Sequence, residues 1–281
     1  MSIADKLLYL DETKKKLRAG LNEMLASRGE PLLTSVSTFR EYADSIFTPS
    51  MLFVNGEQGA WYDPSDLSTL FQDAAGTIPV TTAGDPVGRM LDKSGRGNHA
   101  IQPTSAARPT YQTDGSLSWL QFDGVDDHLT TPQLIHAAEF SLYSAIANDD
   151  MSGDSLWFRQ GAVDFQAGRL LFYLTRTLSN LRSRVIATAT SAAITPTSDS
   201  DMHVYGYARS SAGNFELGFD DETPSVIATA VTSFLTAGCI IGLGAAPCAM
   251  KFAGMLVVSG AFNADPASCK SYLAKKAGVP L

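Results

Sequence analysis

The stretch Leu120-Gln-Phe-Asp-Gly-Val-Asp-Asp-His-Leu129 places an apolar anchor on each side of an acidic turn. Gly124 accepts positive φ without steric cost, and the side chains of Asp123, Asp126 and Asp127 can accept hydrogen bonds from backbone N–H groups two residues on. Phe122 and Leu129 then return both flanks to a core. A strand, a tight turn and a second apolar run mark a β domain, and the surrounding sequence repeats that pattern.

Upstream, Leu91-Asp-Lys-Ser-Gly-Arg-Gly-Asn-His-Ala100 gathers Gly95, Gly97 and Asn98 into another tight loop. Further on, β-compatible runs at 117–122, 140–147, 155–159, 170–175, 181–187, 203–209, 214–219, 225–228, 239–243 and 251–259 are separated by Gly, Asn, Asp and Pro. Many short strands without alternating long helices predict an antiparallel sandwich or barrel and not a parallel α/β sheet. One helix closes the chain. Asp265 can cap it, Pro266 suits its first position, Lys275 and Lys276 complement its dipole, and Gly278 lies just beyond its end.

The beginning of the chain differs in kind. Residues 1–47 carry seven Lys or Arg and seven Asp or Glu, whereas the remaining residues carry 14 against 22. Ile3, Leu7, Leu10, Leu17, Leu21, Met24 and Leu25 recur at helical spacing, which predicts an amphipathic helix over 3–28 stopped by Gly29 and Pro31. Thr38 and Glu41 are spaced as a capping box for a second, short helix whose apolar face is Phe39, Tyr42, Ala43 and Ile46. Helices of this length are marginal alone, so they either fold onto the β domain or dock on a partner or a symmetry mate. The contrast in charge favours docking, with Leu7, Leu10, Leu17, Leu21, Phe39, Tyr42 and Ile46 as contacts. The expected organisation is therefore a helical anchor at 1–47, a linker at 48–60 and a β-sandwich at 61–281.

Composition narrows the function. The chain has 281 residues and a formal net charge of −8, so its surface repels phosphate backbones and no nucleic-acid partner is expected. No apolar run approaches the roughly 18 residues of a bilayer span, and no membrane association is expected. Residues 1–25 are charged and helix-patterned, unlike a secretory signal. Cys239, Cys248 and Cys269 lack the spacing of a disulfide framework or a zinc site, as expected of a reducing compartment.

Several of these passages resemble known families. The runs at 91–100 and 120–129 are similar to the Asp-x-Ser-Gly-x-Gly-Asn-His-Ala loop and the Leu-x-Phe-Asp-Gly-x-Asp-Asp-x-Leu turn of concanavalin A-like, laminin-G-like jelly rolls. Ile241-Gly-Leu-Gly244, Phe252-Ala-Gly-Met-Leu-Val-Val258 and Tyr272-Leu-Ala-Lys-Lys-Ala-Gly-Val279 resemble the last strands and closing helix of the same family. Together they cover about residues 60–281. The fold implied is an antiparallel concanavalin A-like jelly-roll sandwich with an N-terminal helical segment and a short C-terminal helix. The segment Trp61-Tyr-Asp-Pro-Ser-Asp-Leu67, continuing through Gly84 to Asp92, resembles tailed-bacteriophage virion proteins. Thr38-Phe-Arg-Glu-Tyr-Ala-Asp-Ser-Ile46 resembles the attachment segments of phage tail and fibre-like proteins. That resemblance implies a virion location, other virion proteins as partners, and a symmetric homo-oligomer, trimeric or of fibre-like multiplicity.

Jelly rolls of this kind include glycoside hydrolases, which need two carboxylates across the bond they cut. The Glu-x-Asp-x-Glu strand of the related glucanases is absent, and Asp220-Asp-Glu222 reads as a hairpin tip. His99, His128, His136 and His203 show no metal-protease spacing, and there is neither a nucleophile elbow nor a phosphate-binding loop. The expectation is a non-enzymatic virion structural protein without a cofactor. Its alternative is a carbohydrate-binding adhesin that recognises a host surface glycan through Trp61, Tyr62 or Trp157, each of which could equally be core. Asp123, Asp126 and Asp127 could hold calcium or simply form the turn.

Overall fold

The computed structural model describes residues 15, 16, 18–20, 22, 23, 26, 27, 29, 47–149, 155–161, 170–177, 180–185, 201–209, 214–220, 225–228, 237–242, 249–260 and 266–280. They fall into two compact units, Met1–Thr48 and Pro49–Leu281. In the first, residues 15, 16, 18–20, 22, 23, 26 and 27 are helical. Gly29, at φ +70°, donates its N–H to the Ala26 carbonyl at 3.2 Å, which ends the helix at the expected glycine. The seven contact residues expected of this segment lie outside the described residues.

The second unit is an antiparallel jelly-roll sandwich of the concanavalin A-like type. Its strands are β1 (Gln58–Tyr62), β2 (Leu70–Phe71), β3 (Arg89–Met90), β4 (Ala100–Ile101), β5 (Thr110–Thr113), β6 (Ser118–Asp123), β7 (Leu129–Thr131) and β8 (Phe140–Asn148), then β9 (Ser155–Gln160), β10 (Leu170–Thr177), β11 (Asn180–Val185), β12 (His203–Arg209), β13 (Asn214–Phe219), β14 (Ser225–Ala228), β15 (Cys239–Ile241) and β16 (Ala249–Ser259). Among the described residues they form two sheets. One runs β14-β13-β12-β8-β16-β6-β5, with β1 also on β16; the other runs β11-β10-β9-β15-β7-β4-β3-β2. Leu120, Phe122, Phe140, Leu142, Ile146, Met250 and Phe252 of the first sheet face Leu129, Phe158, Leu170, Phe172 and Ile241 of the second, all essentially without exposure. Each such side chain contributes about 1.5–3 kcal/mol by leaving water.

All nine residues of β8 are buried, because the strand is covered on both faces. Its inner face meets the core. On its outer face lies the C-terminal helix Pro266–Ala277, packed against β8, β12 and β16 through the buried Cys269, Leu273, Ala274 and Ala277. Pro266 stands at the first position as expected, and Gly278, at φ +71°, ends the helix while the Val279 N–H returns to the Ala274 carbonyl at 2.9 Å. No helix among the described residues is long and apolar enough to cross a membrane.

The expected linker at 48–60 needs correction. Pro49–Phe53 is a 3-10 turn with Pro49, Leu52 and Phe53 buried, and β1 pairs with β16 from Gln58↔Ser259 to Tyr62↔Met255. The loop at 91–100 locks this start in place. Asp92, itself buried, accepts the N–H of Trp61 at 2.9 Å, of Ser94 at 2.8 Å and of Asn98 at 3.1 Å, and the Asn98 amide donates to the Gly59 carbonyl at 2.7 Å. Arg96 reaches the Phe53 carbonyl at 2.6 Å. The glycines and Asn98 of that loop therefore serve to hold β1 and its approach.

Gly59 adopts φ +139°, and a Cβ there would lie 1.9 Å from the Val257 carbonyl oxygen. Gly59→Ala is expected to break the β1 pairing and lower stability by about 3 kcal/mol or more, read as a lower urea midpoint at unchanged slope. An unchanged midpoint would show that β1 is not part of the cooperative sandwich.

Candidate functional site

Strand alternation sorts the aromatic residues into core and surface. Trp157 and Tyr62 are buried, at 0% and 1% exposure. The Trp157 ring sits among Phe158, Phe172 and Tyr207 with centroids 5.8–6.0 Å away, and the Tyr62 hydroxyl donates to the Asn98 carbonyl. Neither offers a ring face to a sugar, which corrects that expectation for both. Trp61 is only partly exposed. The Lys93 ammonium lies 4.5 Å from its ring centroid and Tyr272 meets it edge-on at 6.2 Å.

Those same residues form an ion cluster below the C-terminal helix. Asp63 accepts the Ser65 hydroxyl at 2.6 Å and the Tyr272 hydroxyl at 3.0 Å, and faces Lys276 at 3.2 Å and Lys93 at 3.4 Å. Burial alone would raise the Asp63 carboxyl, but the Ser65 bond and the two ammonium groups outweigh it and hold the group below its usual range. The cluster ties the helix to the segment after β1. It is structural cross-bracing, with every member engaged.

A different tryptophan reaches the surface. On β6, Leu120 and Phe122 point inward, so Trp119 and Gln121 point outward beside Lys251 of β16, which pairs with Gln121. The Trp119 indole N–H donates to Gln121 Oε1 at 3.3 Å, and the Gln121 amide donates to Asp149 at 2.7 Å. Lys251 stands 3.5 Å from Asp149 and 6.0 Å from the Trp119 centroid. Trp119 and Lys251 border an open cavity of about 170 Å³ between the β5–β6 turn, the start of β12 and the end of the C-terminal helix, lined also by Asp114, Leu117, Asp201, Met202, Ala253 and Lys276. An aromatic ring edged by carboxylates and ammonium groups suits a polyhydroxylated ligand: the ring meets C–H faces and the polar groups orient hydroxyls. Sequence reasoning passed over Trp119, although its place next to Leu120, on the opposite parity from the apolar Leu120 and Phe122 of an expected strand, was signal enough to find it.

The acidic turn is built as the sequence predicts. Asp123 Oδ1 accepts the N–H groups of Val125, Asp126 and Asp127 at 2.8–3.4 Å, and Asp127 Oδ2 accepts the Asp123 N–H at 3.0 Å. The three carboxylates come within 4.8 Å of one another, a span one cation could bridge. Burial, with the charges of Asp123 and Asp126 adding to it, raises the Asp127 carboxyl to about 6. Cys239 and Cys269 are buried thiols, and burial pushes Cys239 up to about 12. Cys248 lies outside the described residues.

The chain matches no protein-family model and no curated protein sequence. Among solved structures it is similar to a GH54 α-L-arabinofuranosidase variant, with a TM-score of 0.56 and 12% identity over 82% of this chain and 66% of that one. It is similar also to an arabinofuranosidase complexed with arabinofuranosyl-α-1,2-xylobiose, with a TM-score of 0.56 and 12% identity over 82% of this chain and 65% of that one. The receptor-binding domain of botulinum neurotoxin D matches with a TM-score of 0.47 and 9% identity over 62% and 47%. The chain thus spans just under two thirds of the arabinofuranosidases it matches, and at this identity the likeness is one of fold. It nevertheless overturns the expectation that the chain is no enzyme. The same sandwich occurs in a glycosidase, and the missing Glu-x-Asp-x-Glu strand excludes only one placement of two carboxylates.

The raised Asp127 carboxyl has a testable sign. Between the ordinary carboxylate value and about 6, the folded chain keeps a proton that the unfolded chain has released, so its contribution to stability falls as pH rises through that window. The Asp63, Asp66, Asp73, Asp85 and Asp114 carboxyls are all lowered, and their effects belong to more acidic pH. Urea midpoints from pH 4 to 7 should therefore show a downward component that Asp127→Asn removes. A cation shared by the three carboxylates would favour the charged form, so millimolar calcium would erase the same component if the turn is a metal site.

Proposed function

We propose that the chain is a carbohydrate-recognising β-sandwich and that its sugar site is the groove beside Trp119. The observation that carries this reading is the outward indole of Trp119, set against an open cavity and bordered by Lys251, Asp114 and Asp201. Its ring is oriented by Gln121, which is in turn held by Asp149, so the stacking surface is prearranged. A fold shared with arabinofuranosidases is compatible with glycan chemistry and adds no residue to the site.

The setting supported by sequence resemblance is a tailed-phage particle. Residues 61–92 and 38–46 carry that resemblance, and Met1–Thr48 forms a compact unit of its own. In this reading the first unit joins other virion proteins, or copies of the chain, and the sandwich meets glycans of the host surface.

Two experiments test these statements. Titration of the protein with a graded set of glycans should find a ligand whose affinity drops about tenfold or more in Trp119→Ala, the equivalent of ~1.4 kcal/mol. The absence of any glycan ligand, or an affinity unchanged by the substitution, would overturn the site. Reducing ends released in the same titrations would extend recognition to hydrolysis. Deletion of residues 1–48 should leave a folded, glycan-binding sandwich that no longer enters particles; unimpaired incorporation would remove the anchor.

A further inference from the structure

The bond that His99 makes fixes the charge of its ring. Nδ1 accepts the Asp92 N–H at 3.0 Å, across the loop at 91–100. A backbone N–H can only donate, so this nitrogen carries no proton and the ring is the neutral form with its hydrogen on Nε2. A second proton would set one N–H against another and abolish the bond. The ring is half-buried, so solvent protons can reach it.

The same loop serves β1 in place of a second neighbouring strand. One edge of β1 pairs with β16. On the other, the Trp61 N–H donates to Asp92 at 2.9 Å, the Trp61 carbonyl accepts the Lys93 N–H at 2.9 Å, and the Gly59 carbonyl accepts the Asn98 amide at 2.7 Å. The Tyr62 hydroxyl donates to the Asn98 carbonyl, and Arg96 donates to the Phe53 carbonyl at 2.6 Å. Asp92 and Asn98 make most of these contacts, and the His99 bond draws the two ends of the loop that carries them together. Without that bond the outer edge of β1 has no fixed partner.

We propose that the His99–Asp92 contact is an acid-sensitive latch: protonation of His99 opens the loop at 91–100 and frees the outer edge of β1, with the turn Pro49–Phe53 before it, while β8 and the sandwich interior stay closed. The charged groups acting on the ring among the described residues are Arg89 of β3 and Asp92 of its own loop. Burial foremost, and then Arg89, resist the added proton and Asp92 favours it, so the ring titrates below the ordinary histidine value. The folded ring thus takes its proton at lower pH than the unfolded one. Its contribution to stability is whole at neutral pH and is lost as pH falls through the mildly acidic range, opposite in sign to that of Asp127.

The test is residue-resolved hydrogen exchange of the full chain between about pH 7.5 and 5, with protection corrected for the intrinsic rate, beside His99→Asn. Asparagine places its Oδ1 close to where Nδ1 stands, so it can accept the Asp92 N–H yet gains no proton. In the unaltered chain the amides of Trp61, Asp92 and Lys93 should lose protection at least fivefold over this range while those of β8 hold; in His99→Asn all should hold. Nitrogen resonances of the ring should show the Nε2–H form at the upper pH and titrate in step with the amide loss. Unchanged protection at Trp61 and Asp92, a loss shared by β8, or an equal loss in His99→Asn would each overturn the latch. So would a proton on Nδ1 at the upper pH, a result that needs no variant.

Discussion

The bulge in β16 at Phe252–Gly254 decides how the sandwich closes. A strand has two edges, and β16 gives one of them to β8 along its whole length. Its other edge is shared in succession: β6 pairs along Ala249–Phe252, and β1 pairs along Met255–Ser259. Such a handover requires a local change of direction, which the bulge supplies. Gly254, at φ +152°, makes it feasible, since a Cβ there would crowd the Tyr62 carbonyl oxygen at 3.1 Å and Leu273 of the helix at 3.3 Å. The same few residues therefore fix where β1 joins, how closely the helix approaches, and where Lys251 and Ala253 lie in the floor of the Trp119 groove.

The long strands could be read from sequence and the short ones could not. His203–Arg209, Asn214–Phe219 and Ser225–Ala228 fall where hydrophobic pattern and turn residues place them, and β6, β8, β9, β15 and β16 differ by one or two residues at their ends. By contrast, β1, β2, β3, β4, β5 and β7 had no legible period. Two or three residues such as Leu70–Phe71 or Ala100–Ile101 are too few to show alternation, and they become strands only because neighbours in space supply hydrogen bonds. The linker expected before residue 61 failed for the same reason. Gln58–Tyr62 contains two exposed-type signals, a glutamine and a glycine, yet Gly59 is there because the backbone of Val257 leaves no room for a side chain.

The candidate site was harder to read because residue type was weighed ahead of strand face. By chemistry alone, Trp157 and Trp61 are both candidates to stack on a sugar. The first is enclosed by aromatic rings and the second is covered by Lys93. Trp119 carries no motif. It is marked only by parity, lying between Ser118 and Leu120 on a strand whose Leu120 and Phe122 are wholly buried. The acidic turn shows the opposite case: its sequence named the right residues, and their hydrogen bonds to Val125, Asp126 and Asp127 show what they do for the chain whether or not an ion joins them.

What places the groove on this face is the end of the C-terminal helix. The helix covers β8, β12 and β16 but stops at Ala277, short of β6 and β5, so the outward residues at that side of the sheet remain open. Its last turn cannot drift over them. Lys276 is held at 2.6 Å by the Ser65 hydroxyl and at 3.2 Å by Asp63, while Gly278 turns the chain away past Leu117, 2.8 Å from where a Cβ would stand. The ion cluster around Asp63, distant from the indole in sequence, thus acts on the site by fixing its wall. A groove with one wall from a helix end, one from a hairpin turn and a floor from two paired strands is preorganised by the fold itself, so a ligand stacked on Trp119 would meet walls that need no ordering on binding.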